Sequence, residues 1–192
     1  KFTVSDITTS PGKRSPGVPL TTAALQIEAN SKLGYTTRTT MNAAQGLYQA
    51  GHITYHRTDS LNLSKDAIGS IAGFIEREFG KQYLKVRGGF GKKSAGAQEA
   101  HEAIRPTSIT REVAGKNDYE RRLYNLIRNR TLATQMSDAK LEKTTVKIAT
   151  PTDFLFEGKG EVIIFDGFLK VVGRTKESEL PVLKAGQELA AK

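Results

Sequence analysis

Tyr55 and Arg57 stand two positions apart in the run GHITYHRTDS, Gly51 to Ser60. The alternation of Ile53, Tyr55 and Arg57 predicts a strand pointing all three to one side, closed by the turn-forming Thr58, Asp59 and Ser60. A phenol with an ordinary pKa of about 10 is a poor nucleophile at neutral pH, so chemistry requires its anion to be stabilised. A guanidinium about 7 Å further along the same face could do so, or could hold a phosphate under attack. Attack of a tyrosine on phosphorus suits strand cleavage in a nucleic acid, because the phosphotyrosyl ester conserves the energy needed for rejoining. The same pair also reads as a structural tyrosine, hydrogen-bonded beside a surface arginine. Spacing and composition alone favour the structural reading.

Other chemistries find less support. His52 and His56 are about 13 Å apart on a strand, too far to share one ion. His101 and Glu102 begin an HExxH pattern, but Arg105 occupies its last position. There is no DxD cluster for magnesium, no GxSxG and no GxxxxGK[ST]. No metal site is expected in this chain.

The balance of 29 Lys+Arg against 20 Asp+Glu, a formal +9 over 192 residues, favours a polyanionic partner. Cysteine is absent, which excludes disulfides and thiolate metal sites. No stretch of about 18 apolar residues and no apolar leader is present. A cytoplasmic location fits. The chain opens on Lys1 and stops mid-pattern at Lys192, as expected of a segment excised from something longer.

Several elements must position the pair. Residues 1 to 9 read as a strand, and residues 10 to 19, SPGKRSPGVP, as a connector. A helix over 21 to 33 has Thr21 or Thr22 as its cap and Gly34 as its stop. A second helix follows, capped by Thr36 or Thr37 and ended by Gly51. Helix, turn, helix and strand is also the order of a DNA-reading helix-turn-helix. Ser64 caps an amphipathic helix with Ile68, Ile71, Ala72, Ile75 and Phe79 inward and Gly80 as its stop. Residues 81 to 98 form a basic, glycine-rich loop with Lys92 and Lys93, either solvated or tracking a phosphate backbone. Residues 98 to 104 predict a short helix stopped by Pro106. Residues 117 to 136 predict a longer one, with Tyr119, Leu123, Leu126, Ile127 and Leu132 inward and Arg121, Arg122, Arg128 and Arg130 outward. Beyond it, 144–149, 154–157, 161–165 and 168–172 read as strands, broken by Pro151, the GKG at 158–160 and Asp166-Gly167. The expected class is α+β: a helical domain, 17–143, inserted into a small β domain made of 1–16 and 144–192.

Three blocks resemble the type IA DNA topoisomerases. GHITYHRTDS is similar to the family's active-site motif ITYxRTDS. QEAHEAIRPT, Gln98 to Thr107, resembles its AHEAIRPT block. PLTTAALQIEANSKLGY with the following QGLYQAG fits its PFTTSTLQ segment. The topoisomerase III branch usually has proline where His56 stands, so the resemblance is to the bacterial topoisomerase I branch; reverse gyrase carries a similar module.

The resemblance implies that Tyr55 forms a 5′-phosphotyrosyl link to single-stranded DNA. It implies that Arg57 contacts the scissile phosphate and that His101 assists nearby through hydrogen bonding or proton movement. Arg105 is placed among the DNA contacts together with Arg57, Lys92 and Lys93, although Arg105 could instead pair with Asp59 in a structural role. The implied activity is ATP-independent breakage, strand passage and rejoining that relaxes negatively supercoiled DNA in the bacterial nucleoid. Mg2+ is implied only through a Toprim domain that precedes this region in the family and whose motifs this chain lacks; alone the segment is expected to be inactive. In it, Tyr55 and Arg57 should lie near the surface, with His101 in the same neighbourhood. Two other readings remain: a non-catalytic helix-turn-helix module, and a structural domain whose basic charge meets RNA.

Overall fold

The computed structural model describes residues 1–88, 90, 101–152, 154–173 and 177–190, so Lys92, Lys93 and Gln98 lie outside the described residues. Two compact units are present. One comprises Lys1–Ser15, Asp138–Leu169 and Gly173–Lys192; the other comprises Pro16–Ser137 with Lys170–Val172. Among the described residues the fold is α+β, with one four-stranded antiparallel sheet and five α-helices.

The helical unit is built from four capped helices. In α1, Thr22–Leu33, the hydroxyl of Thr21 accepts from the amide of Ala24, and Gly34 closes the helix at φ 70°. Helix α2, Thr37–Gln49, is capped by Thr36, and Gly51 takes the positive φ beyond its end. Helix α3, Lys65–Phe79, is capped by Ser64. Helix α4, Asp118–Thr134, is capped by Asn117. Each cap satisfies an amide that the first helical turn leaves without an internal partner. Leu25, Leu47, Leu123, Tyr124 and Ile127 are fully buried in the shared core, and each such side chain contributes about 1.5–3 kcal/mol by leaving water. Tyr119 departs from the expected inward stripe: it is exposed and packs its ring on Tyr35 at 5.4 Å.

Gly46 marks the close approach of α2 to α4. A Cβ there would come within 2.3 Å of Oε1 of Glu120. Glu120 is buried and held by the amide of Lys116 and the side chain of Asn117. An exposed helical Gly→Ala change gains about 1 kcal/mol, but overpacking costs about 1–3 kcal/mol. Gly46→Ala is therefore expected to lower stability by about 1 kcal/mol net, read as a fall in Tm; an unchanged Tm would mean that Glu120 yields freely.

The sheet unit has strand order β3-β2-β1-β4, with β1 Phe2–Arg14, β2 Ala139–Ala149, β3 Leu155–Phe165 and β4 Glu188–Leu189. Residues 10–14, expected in the connector, instead continue β1 against β2. Pro11 is tolerated because β4 pairs only with Phe2 and Thr3, leaving one edge of β1 open at Pro11, where the missing amide costs no ladder bond. The GKG expected to break a strand lies inside β3, where Gly160 leaves room for Leu180. The strand expected at 168–172 is a short helix, α5, Leu169–Val172, entered through Gly167 at φ 51°.

Two expectations near the motif also change. Gly51 to Arg57 is not a strand: Ile53 makes a single antiparallel bridge to Pro106, and a proline has no amide with which to extend a ladder. Residues 101–104 are extended rather than helical. The amides of Ala103 and Ile104 bond instead to the carbonyls of Asn62 and Leu20.

Candidate active site

Thr54 joins the two motif blocks. Its amide donates to the carbonyl of Arg105 at 2.9 Å, its hydroxyl donates to the carbonyl of Ala103 at 2.7 Å, and the same hydroxyl accepts from the amide of Arg105 at 3.0 Å. Two residues beyond Arg105, Thr107 donates its amide to the carbonyl of His52 and its hydroxyl to that of Gly51. The third block enters through Thr22, the first residue of α1. Its hydroxyl donates to the carbonyl of His56 at 2.8 Å and accepts from the amide of Thr58 at 2.9 Å, while its own amide donates to the carbonyl of Thr58. Such bonds contribute about 1 kcal/mol each. Together they pin the backbone on both sides of Tyr55.

The side chain of Tyr55 stays outside this stitching and is 46% exposed. Its ring lies 5.1 Å from that of Tyr48 and 5.4 Å from that of His56, centroid to centroid. Tyr48 and His56 are themselves 5.6 Å apart. Ile53, expected on the same face as Tyr55 and Arg57, is buried, whereas Arg57 is exposed like the tyrosine. His56 turns inward between them and is 1% exposed. Burial, reinforced by the neighbouring charge of Arg57, holds its imidazole below the ordinary pKa of 6.5, so the ring is neutral at physiological pH.

Arg57, Asp59 and His101 share a cleft of about 500 Å³ with Thr21, Thr22, Ala23 and Thr58. The cleft opens at the start of α1, where the aligned peptide dipoles place partial positive charge and the first turn carries no acid. Arg57 has no ion-pair partner among the described residues. A guanidinium, an imidazole and a helix start around one opening form a setting suited to an anionic oxygen, with Asp59 as the single acid among the described lining residues.

Arg105 is differently placed. Its guanidinium grips both carboxylate oxygens of Glu102 at 3.2 and 2.6 Å and donates to the carbonyl of Pro106 at 3.0 Å. Its partner is thus Glu102, three residues earlier on the same segment, rather than Asp59. Glu102 also accepts from the amide of Ser64 at 2.6 Å, tying the start of α3 to the motif. Burial alone would raise the pKa of Glu102, but the bonds from Arg105 and Ser64 outweigh it and hold the carboxyl below 4.5. Its contribution to stability is therefore present above about pH 4.5 and is lost as the pH falls through the folded-state value. Glu102→Gln is expected to lower stability at neutral pH by about 1–3 kcal/mol and to flatten the loss as the pH falls below the ordinary carboxylate value of 4.5. Urea melts across that range read both effects.

Tyr48 and Thr54 carry no signal of a site role in their residue types, and Thr22 and Glu102 show only as a possible helix cap and as part of an incomplete HExxH pattern. Thr22 had a local signal: two consecutive threonines precede α1, one cap is needed, and Thr21 supplies it, which frees Thr22 for the loop. Among the described residues no group of three or more His, Asp or Glu side chains converges as a metal site would require. His52 packs on Tyr124, and its Nδ1 lies 3.3 Å from the guanidinium of Arg111. No described helix is long and apolar enough to cross a membrane.

Comparison with known proteins places this geometry in context. The family described as DNA topoisomerase matches residues 1–192. DNA topoisomerase 1 of Pseudomonas aeruginosa is 42% identical over 186 residues, covering 93% of this chain and 21% of the relative. Its counterpart in Campylobacter jejuni is 43% identical over 202 residues, covering 98% and 29%. The solved full-length topoisomerase I of Thermotoga maritima superposes with a TM-score of 0.82 at 32% identity, covering 97% of this chain and 32% of that one. The chain thus spans less than a third of the length of these relatives. It belongs to the DNA topoisomerase family.

Proposed function

We propose that this chain is the tyrosine-bearing part of a type IA topoisomerase of the bacterial topoisomerase I kind, acting on single-stranded or negatively supercoiled DNA. The observation that carries the reading is an exposed Tyr55 two residues before Arg57, which shares a cleft with His101, on backbone held by the hydrogen bonds of Thr22 and Thr54. Tyr55 Oη attacks a backbone phosphorus; the Tyr–O–P bond forms as the bond from phosphorus to the 3′ oxygen breaks. The phenol loses its proton, and the departing 3′ oxygen gains one. Arg57 holds the phosphate and offsets the charge that builds on it. His101, across the cleft, is suited to hydrogen-bond the DNA or carry a proton. Arg105, committed to Glu102, acts by holding the His101 segment in place. Lys92 and Lys93 add backbone-led, sequence-tolerant attraction.

In this reading the helical part is an insertion in the β domain, which forms part of the arch of a ring. Mg2+ and the acids that hold it belong to a Toprim portion of the same polypeptide, in the nucleoid. No described residue cluster here fits the ion. The test pairs the segment with its Toprim portion and supplies negatively supercoiled plasmid, Mg2+ and no ATP. Relaxation by the pair, absent from the segment alone, is the expected result. Binding without relaxation by either would favour a non-catalytic helix-turn-helix module.

A further inference from the structure

Among the described residues, His56 is the buried polar side chain near Tyr55 whose chemistry is unaccounted for. It is 1% exposed, and neither Nδ1 nor Nε2 has a hydrogen-bond partner among the described residues. Burying two unpartnered ring nitrogens is destabilising, and a native site that keeps them calls for a reason. Packing alone does not supply one, since leucine has similar bulk and leaves no polar atom stranded.

The ring geometry does supply one. His56 meets Tyr55 edge to face at 5.4 Å and 72°. It also meets Tyr48 at 5.6 Å, while the two tyrosines stay 5.1 Å apart. Each ring of this trio touches the other two, and aromatic pairs at such separations prefer definite mutual angles. The His56 carbonyl is fixed by Thr22, so the ring is anchored through its own backbone as well. Tyr55 is therefore walled on two sides by rings and open on the side that faces solvent.

We propose that His56 is a positioning residue for Tyr55: its buried ring, seated against Tyr55 and Tyr48 together, sets the direction in which the phenol oxygen leaves the surface. The inference rests on Tyr55 being the nucleophile. An attack needs the oxygen in line with the bond it breaks, and a small displacement costs rate while leaving affinity alone. Tyr48 is the second wall of the same clamp.

The test uses the full-length protein that carries this segment and a single-stranded oligonucleotide, comparing the parent with His56→Leu and His56→Phe. Leucine keeps the bulk and removes the ring; phenylalanine keeps a ring. His56→Leu is expected to fold with an unchanged or higher Tm, to bind the oligonucleotide within about twofold of the parent, and to cleave it about tenfold or more slowly in a single turnover. His56→Phe is expected to recover cleavage to within about threefold. Parental cleavage by His56→Leu overturns the proposal, as does an equal loss of affinity and rate, or a phenylalanine variant as slow as leucine. A parent that forms no adduct on Tyr55 overturns the nucleophile reading itself, which is separable because it appears before any His56 variant is made.

Discussion

Tyr55→Phe is expected to abolish strand cleavage, lowering it by about 10⁴ or more, while single-stranded DNA still binds. The phenylalanine ring keeps the contacts with Tyr48 and His56, and Tyr55 lies at the surface rather than in the core. The loss therefore reports the missing oxygen and not a collapsed site. Cleavage of an oligonucleotide and its binding by gel shift separate the two quantities. Retained cleavage would return Tyr55 to the structural role that its spacing also permits.

Arg57→Ala is expected to reduce cleavage by about 10²–10³, the usual cost of removing one group that stabilises developing charge in a transition state. Arg57 is exposed and has no ion-pair partner among the described residues, so its removal should change stability by less than about 0.5 kcal/mol. Arg57→Lys should recover only part of the rate, because an ammonium cannot grip two phosphate oxygens as a fork does. The contrast with Glu102→Gln is useful. That change is expected to act first on Tm and only through it on cleavage.

Capping residues and glycine stops made α1, α2 and α3 legible, because Thr21, Thr36 and Ser64 each precede an apolar stripe and serve one local purpose, and α4 was legible from its apolar stripe. The motif itself was less legible in form than in content. Alternating residue types around Tyr55 gave a strand by period, yet the facing residue is Pro106, more than fifty positions away, and that partner limits pairing to one bridge. Residues 101–104 fail as a helix for the same kind of reason: their amides are claimed by Asn62 and Leu20, which no local pattern reveals. Arg105, placed by the motif among the DNA contacts or beside Asp59, pairs with Glu102 three residues earlier, a partner its spacing did not point to. In the sequence His56 shows only as a candidate metal ligand and as a marker of the family branch, since a ring packed against two tyrosines has no sequence spacing of its own.

The central claim, that Tyr55 becomes covalently joined to DNA, is tested most directly by trapping. An oligonucleotide labelled at either end is incubated with the full-length protein, the mixture is denatured, and the peptide that keeps the label is identified. A 5′-phosphotyrosyl link predicts that the fragment downstream of the break, carrying the 3′-end label, stays on the peptide containing Tyr55. Retention of the 5′-end label, or an adduct on the neighbouring Tyr48, would contradict it.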